Sequence, residues 1–221
     1  MKSWKDLNYS IKVVEDNKNI APGAYVLSIK RDFEFLSGQV VALGVDPQIA
    51  PRLYSIASGE QDSFVEILYT EKSGGELTPM LSSLKPGDKI MVSEPFGTFT
   101  QVTDSAIYIA AGTGIAPFIS KIKSMKGKDP ILIHGVSFPE YFYFNDYLNQ
   151  NLNRNYIQCC SRCFDDEYFQ GRVTDFLKTW KGLSPNKKYY LCGSAEMVVD
   201  TRDLLISMGV PFGNINAEIY F

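Results

Sequence analysis

Ala106-Ile107-Tyr108-Ile109-Ala110-Ala111-Gly112-Thr113-Gly114-Ile115-Ala116-Pro117 decides the fold. Six apolar residues run without interruption, as in a strand buried on both faces of a parallel sheet. Two glycines stop the run, and residues 115–125 then carry apolar side chains at helical spacing. A glycine passage from a buried strand into a helix brings unpaired N–H groups to one point, where a pyrophosphate can bind. The same residues also make a plain, tight strand–helix turn. They are not the Gly-x-Gly-x-x-Gly fingerprint, because Pro117 stands where the last glycine would fall.

Downstream the grammar repeats. Strands are expected at 131–136, 156–161 and 188–192, with helices at 141–149, 172–180 and 195–208 and an aromatic strand at 217–221. Alternating strands and helices imply an α/β unit with a parallel sheet. Upstream the pattern is different. Residues 9–14, 25–29, 40–43, 64–70 and 89–93 read as short strands. Turn formers separate them: Asn17, Asn19, Pro22, Gly23, Ser73-Gly74-Gly75 and Lys85-Pro86-Gly87-Asp88. Residues 78–84 suit a short helix. Many short strands with regular turns imply an antiparallel β-barrel or sandwich. The change of class near residue 100 divides the chain into two expected domains, 1–101 and 102–221.

At 221 residues, 45% hydrophobic and 21% charged, the chain has the composition of an ordinary globular protein. A net charge of −3 gives no support for a nucleic-acid or membrane-surface partner. No apolar run reaches the roughly 20 residues that span a bilayer, and the start lacks the apolar stretch of a secretory signal. Of the four cysteines, Cys159, Cys160 and Cys163 are clustered at a spacing unlike a plant-type iron–sulfur site. Free buried thiols in a reduced, cytoplasmic setting are the expectation, and no metal site is expected. The one histidine, His134, excludes a histidine-rich centre.

Arg52-Leu53-Tyr54-Ser55 leaves the turn at Pro51 extended. Alternation sends Tyr54 and Ile56 to one face and Ser55 and Ala57 to the other. A guanidinium, an aromatic ring and a hydroxyl in this order can neutralise a phosphate, cover a flat heterocycle and bond its edge. The residues equally suit a half-buried strand. Gly75-Glu76-Leu77-Thr78 reads as a glycine turn and helix start, with Thr78 able to cap. Leu191-Cys192-Gly193-Ser194 ends another α/β strand, so it should lie near Gly112–Pro117. Cys192 there is either a small buried hydrophobe or a sulfur beside a reacting ring.

Taken in order, Arg52-x-Tyr54-Ser55, Gly75-x-x-Thr78-x-x-Leu81, Gly112-Thr113-Gly114-Ile115-Ala116-Pro117, Cys192-Gly193 and a terminal Glu218-x-Tyr220-Phe221 resemble the ferredoxin–NADP reductase family. The length and the ending look most like its compact bacterial members. The resemblance implies an antiparallel β-barrel FAD domain, then a Rossmann-like α/β domain for the nicotinamide nucleotide. Arg52 would pair with the FAD pyrophosphate beside Thr78, Tyr54 would stack on the isoalloxazine, and Ser55 would bond near N5. Leu53, Ile67, Leu68, Tyr69, Gly75 and Leu77 are further implied cofactor-binding positions. Tyr220 would cover the second flavin face and move for nicotinamide. Phe221 keeps an aromatic where bacterial members carry a terminal Trp.

On the nucleotide side, Gly112, Thr113, Gly114 and Gly193 would approach NADP(H). Cys192 and Glu218 would flank the nicotinamide together with Ser55. Ser161, Arg162 and Arg172 match the family's 2′-phosphate positions, whereas Ser137 occupies a third position that is usually basic. The implied activity passes hydride between NADPH and FAD, and single electrons onward to ferredoxin or flavodoxin, in a monomer. An NADH-dependent oxygenase reductase component and a non-catalytic electron-transfer flavoprotein subunit are the alternatives.

Overall fold

Six strands in the first half are built from β-branched and aromatic residues: β1 (Tyr9–Ala21), β2 (Ala24–Lys30), β3 (Val40–Gly44), β4 (Arg52–Ser55), β5 (Phe64–Thr70) and β6 (Lys89–Ser93). The computed structural model describes residues 7–125 and 128–220. Its contacts divide the chain into two units, Met1–Gln101 with Ala116–Ser124, and Val102–Ile115 with Met125–Phe221.

In the first unit the sheet order is β4-β3-β6-β1-β2-β5, with every pair antiparallel. Its two ends meet, because Ile56 bridges Ile67 and the Ala57 N–H donates to the Glu66 carbonyl at 2.7 Å. That closure makes the sheet a barrel, which removes its open edges. Leu27, Ile29, Val41, Leu43, Ile56, Ile67, Tyr69 and Val92 fill it, and helix α1 (Leu77–Ser83) adds Leu77 and Leu81.

Strand β1 runs well past the expected 9–14. Asn17 and Asn19 are not turn residues; they lie inside the strand, opposite Leu27 and Tyr25. The Asn17 amide donates to the Leu81 and Leu84 carbonyls at 2.8 and 3.1 Å and accepts the Tyr69 hydroxyl at 2.9 Å. These tertiary bonds override local turn preference. The turn falls at Pro22-Gly23, where Gly23 has φ 68°.

Helix α2 (Ala116–Ser124) groups with the barrel. Phe118 packs on Phe99 with ring centres 5.9 Å apart, and Lys123 pairs with Glu66 at 2.7 Å. Lys121 is fully buried, donates to the Gln101 and Ser37 carbonyls at 3.1 and 3.4 Å, and lies 5.3 Å from the Phe99 ring centre.

The second unit is a parallel sheet of β7 (Ile107–Ala111), β8 (Ile131–Val136), β9 (Tyr156–Cys160), β10 (Phe169–Gln170), β11 (Tyr189–Ser194) and β12 (Ile215–Tyr220), in the order β10-β9-β8-β7-β11-β12. Helices α3 (Asn145–Leu152), α4 (Val173–Thr179) and α5 (Ala195–Ser207) complete it. The expected helix at 141–149 starts later. Pro139–Tyr141 forms a 3-10 turn, and Phe144 has φ 58°, a left-handed conformation that interrupts an α-helix. Strand order reverses at β7, which has β8 on one side and β11 on the other. The carboxyl ends of β7 and β11 therefore flank a topological switch point, where open α/β sheets bind ligands.

Candidate functional site

In the barrel unit, β4 presents its residues in graded exposure. Arg52 and Leu53 are exposed, Tyr54 is half-buried and Ser55 is buried. Tyr54 packs against the barrel core with Ile56, so the expected alternation holds. Its ring meets Tyr69 edge-on at 6.2 Å, and burial pushes its hydroxyl pKa up to about 12. Tyr54 therefore offers a neutral ring, with the exposed Arg52 two residues before it on the same strand. The neighbouring positions differ in what they can offer. Ile67, Tyr69 and Leu77 point into the barrel core, so only their backbone remains for a ligand. Thr78 does not cap α1: Glu76 holds the cap position, without a side-chain bond, and the Thr78 hydroxyl accepts the Lys72 N–H at 2.8 Å. Thr78 lies already inside the helix, where its hydroxyl fastens the returning loop. Gly75 sits on that loop, its N–H bonded to the Lys72 carbonyl at 2.9 Å.

In the second unit, Gly112-Thr113-Gly114 follows β7 as a 3-10 turn, with Gly112 at φ 53°. A Cβ on Gly114 would run into the carbonyl of Cys192, so only glycine lets the β7 and β11 loops approach this closely. Gly193 is also left-handed, at φ 158°, and a side chain there would meet Met197. Parallel register sets Cys192 beside Glu218 and Ser194 beside Tyr220. The Cys192 sulfur lies 4.0 Å from a Glu218 carboxylate oxygen and takes a hydrogen bond from the Tyr220 side chain. Burial, and then the Glu218 charge, raise the Cys192 thiol well above its ordinary pKa. Cys192 is thus held as an uncharged thiol, unsuited to nucleophilic attack at neutral pH. Phe221 lies outside the described residues.

Ser161, Arg162 and Arg172 are brought together at the ends of β9 and β10. The Ser161 and Arg162 N–H groups donate to the Val136 and Ser137 carbonyls at 3.0 and 3.1 Å, and the Gly171 N–H donates to the Cys160 carbonyl at 3.0 Å. The Arg162 guanidinium carbon stands 5.7 Å from the Phe138 ring centre, a cation–π position that steadies it. Arg172 meets Glu196 at 3.0 Å, with both side chains about two-thirds exposed, at 68% and 71%. So exposed a pair is worth little, and the guanidinium can exchange it for a phosphate.

Two features escaped the sequence reading. His134, considered only as a possible metal ligand, is fully buried, with Nε2 3.2 Å from the Gly112 carbonyl and Nδ1 3.3 Å from the Tyr156 hydroxyl. A carbonyl only accepts, so the proton sits on Nε2 and Tyr156 donates to Nδ1. The imidazole thereby holds the first residue of the Gly112–Gly114 turn. Its one sequence signal was a polar residue alone in an apolar strand. The second is a correction. Cys160 and Cys163, expected as free thiols, form a disulfide across a Cα separation of 5.5 Å, whereas Cys159 and Cys192 are free and buried. The turn at Ser161-Arg162 brings Cys163 back beneath the end of β9, which spacing alone does not reveal.

Both halves of the chain find counterparts among known proteins. Residues 14–101 match the model of the oxidoreductase FAD-binding domain, and residues 108–203 that of the oxidoreductase NAD-binding domain. A ferredoxin–NADP reductase of Pseudomonas aeruginosa is 30% identical, over 94% of this chain and 86% of that protein. One from Azotobacter vinelandii is 29% identical, over 80% of each. The fold matches the crystal structure of a Neisseria gonorrhoeae ferredoxin NADP+ reductase with bound FAD and NADP, with a TM-score of 0.85 at 24% identity, over 96% of this chain and 99% of that one.

Proposed function

This chain belongs to the ferredoxin–NADP reductase family, and from that membership we propose that residues 1–101, which supply the barrel strands, carry FAD and that residues 102–221, which supply the parallel sheet, carry NADP(H). It is an FAD-dependent oxidoreductase. We further propose that it passes electrons singly to a ferredoxin or flavodoxin, as a monomer in the cytoplasm. The observation that carries the nucleotide half is the closeness of the Gly114 backbone to the Cys192 carbonyl, which joins two glycine-bearing loops at the switch point of the sheet.

The side chains present fit both groups. Exposed Arg52 suits a pyrophosphate, the Tyr54 ring a flat heterocycle, and Ser55, Leu53, Leu68 and the Gly75–Thr78 loop complete the flavin-binding set. Gly112, Thr113 and Gly114 offer backbone N–H groups to the dinucleotide, while Ser161, Arg162 and Arg172 offer the donors that a 2′-phosphate requires. When bound, the two cofactors supply the hydride and one-electron chemistry, and the protein supplies position and electrostatics. The neutral Cys192 thiol gives an uncharged contact for the nicotinamide. Glu218 places a carboxylate beside it, and Tyr220 caps the pair from the end of β12.

The test is steady-state turnover of the purified, FAD-loaded protein with NADPH and with NADH, against a ferredoxin and a flavodoxin. NADPH is expected to win. Arg162→Ala should raise the NADPH KM by about tenfold and leave the NADH KM unchanged, the loss of one charge-assisted bond. Equal wild-type rates with both nucleotides would overturn the 2′-phosphate assignment. Failure with both acceptors would overturn the partner assignment.

A further inference from the structure

The disulfide lies where the nucleotide reading places the 2′-phosphate. Cys160 is the last residue of β9, Ser161 and Arg162 form the turn, and Cys163 returns beneath it, so that the two sulfurs enclose the two residues assigned to that phosphate. The Cα separation of 5.5 Å lies within the ordinary range for a cystine. Cys163 is the one buried residue in the run 161–167, whose other members are all exposed. Beneath the turn, Cys160 and Cys163 pack with Val136 and Phe142. The open form is also provided for, because the Cys160 sulfur stands 3.5 Å from the Ser137 carbonyl, an acceptor ready for its S–H once the bond is broken.

We propose that Cys160 and Cys163 are a thiol–disulfide exchange site that sets the affinity of this protein for 2′-phosphorylated nucleotides. The proposal rests on the assignment of Ser161 and Arg162 to that phosphate. The co-reactant is a dithiol, either a small molecule or a dithiol protein. Its thiolate attacks the more accessible Cys163 sulfur, the bond between the two protein sulfurs breaks, and Cys160 leaves as a thiolate that takes up a proton. The second thiol of the co-reactant then displaces Cys163, which is protonated in turn. The protein disulfide gains two electrons and two protons, and the dithiol becomes a disulfide. With the ring closed, Ser161 and Arg162 are held ready for the phosphate. With it open, ordering the turn falls to the ligand.

The experiment titrates the FAD-loaded protein with adenosine 2′,5′-bisphosphate and with 5′-AMP by calorimetry, after dithiol reduction and after oxidation. Alkylation and mass spectrometry count the free thiols in each sample. Reduction should expose two further thiols and weaken bisphosphate binding by about tenfold, with 5′-AMP binding unchanged. Cys163→Ser should bind like the reduced wild type under both conditions. Because wild type alone gives both states, the result does not depend on the variant folding. Equal, tight bisphosphate binding in both states would overturn the switch and leave the NADPH assignment standing. Equal affinity for bisphosphate and 5′-AMP in both states would overturn the phosphate assignment and the switch with it. Cysteines that stay alkylatable after oxidation would also overturn it.

Discussion

Burial holds the His134 ring neutral, with a pKa lowered to about 4 from an ordinary 6.5. Above about pH 6.5 neither the folded nor the unfolded chain protonates it, and its contribution to stability is whole. As pH falls from about 6.5 toward about 4, the unfolded chain takes up the proton while the folded chain does not, so stability declines. The window amounts to about 3 kcal/mol. Urea unfolding of His134→Gln should lack that part of the acid-side loss. In the same variant the amide can still donate to the Gly112 carbonyl, so nucleotide affinity should be largely kept. His134→Phe, which offers no donor, should bind NADP+ several-fold more weakly with FAD content unchanged. Equal affinity in the two variants would remove His134 from the support of the phosphate turn. At this scale the sequence was most informative where chemistry is local. Arg52, Tyr54 and Ser55 lie on one strand, with Tyr54 and Ile56 on the core face as the alternation predicts. The cap expected of Thr78 and the absence of any role for His134 have one cause: their partners, the Lys72 N–H and the Gly112 carbonyl, are set by tertiary approach.

Helix α2 shows how much one element can carry. Lys121 reaches two backbone carbonyls from its middle turn, Ser37 before β3 and Gln101 after β6, and pins both to the helix. Lys121→Met keeps the alkyl stem and deletes the donors. A buried carbonyl left without a donor costs about 1–3 kcal/mol, so the variant should lose at least about 2 kcal/mol in urea unfolding. An unchanged midpoint would show that water replaces the ammonium. Elements defined by hydrophobic period were legible in the sequence. The run at 106–111 became β7, and the helical spacing at 195–208 became α5. Three elements were not legible, each for a stated cause. The length of β1 depends on Asn17 bonding across to α1, β10 is only Phe169–Gln170, and the start of α3 is displaced by a left-handed Phe144.

At the scale of the whole molecule, the sequence indicated one change of class near residue 100, whereas the contacts of the chain also return Ala116–Ser124 to the first unit. No sequence pattern marks that return, because α2 has the same apolar spacing whichever unit it joins. A fragment of residues 1–101 therefore lacks Lys121, Phe118 and Lys123. It should unfold at a lower urea concentration than a fragment of residues 1–125, which keeps them, and it should hold FAD less tightly. Coincident urea transitions would show that α2 is dispensable to the barrel. The discontinuity also bears on synthesis. Domains generally fold in the order in which they leave the ribosome, but here the earlier unit is completed by a helix translated only after the first strand of the later one. Until α2 emerges, the nascent barrel has no ammonium for the Ser37 and Gln101 carbonyls and no Phe118 to cover Phe99. The barrel that begins the chain is therefore finished only once β7 of its neighbour has been made.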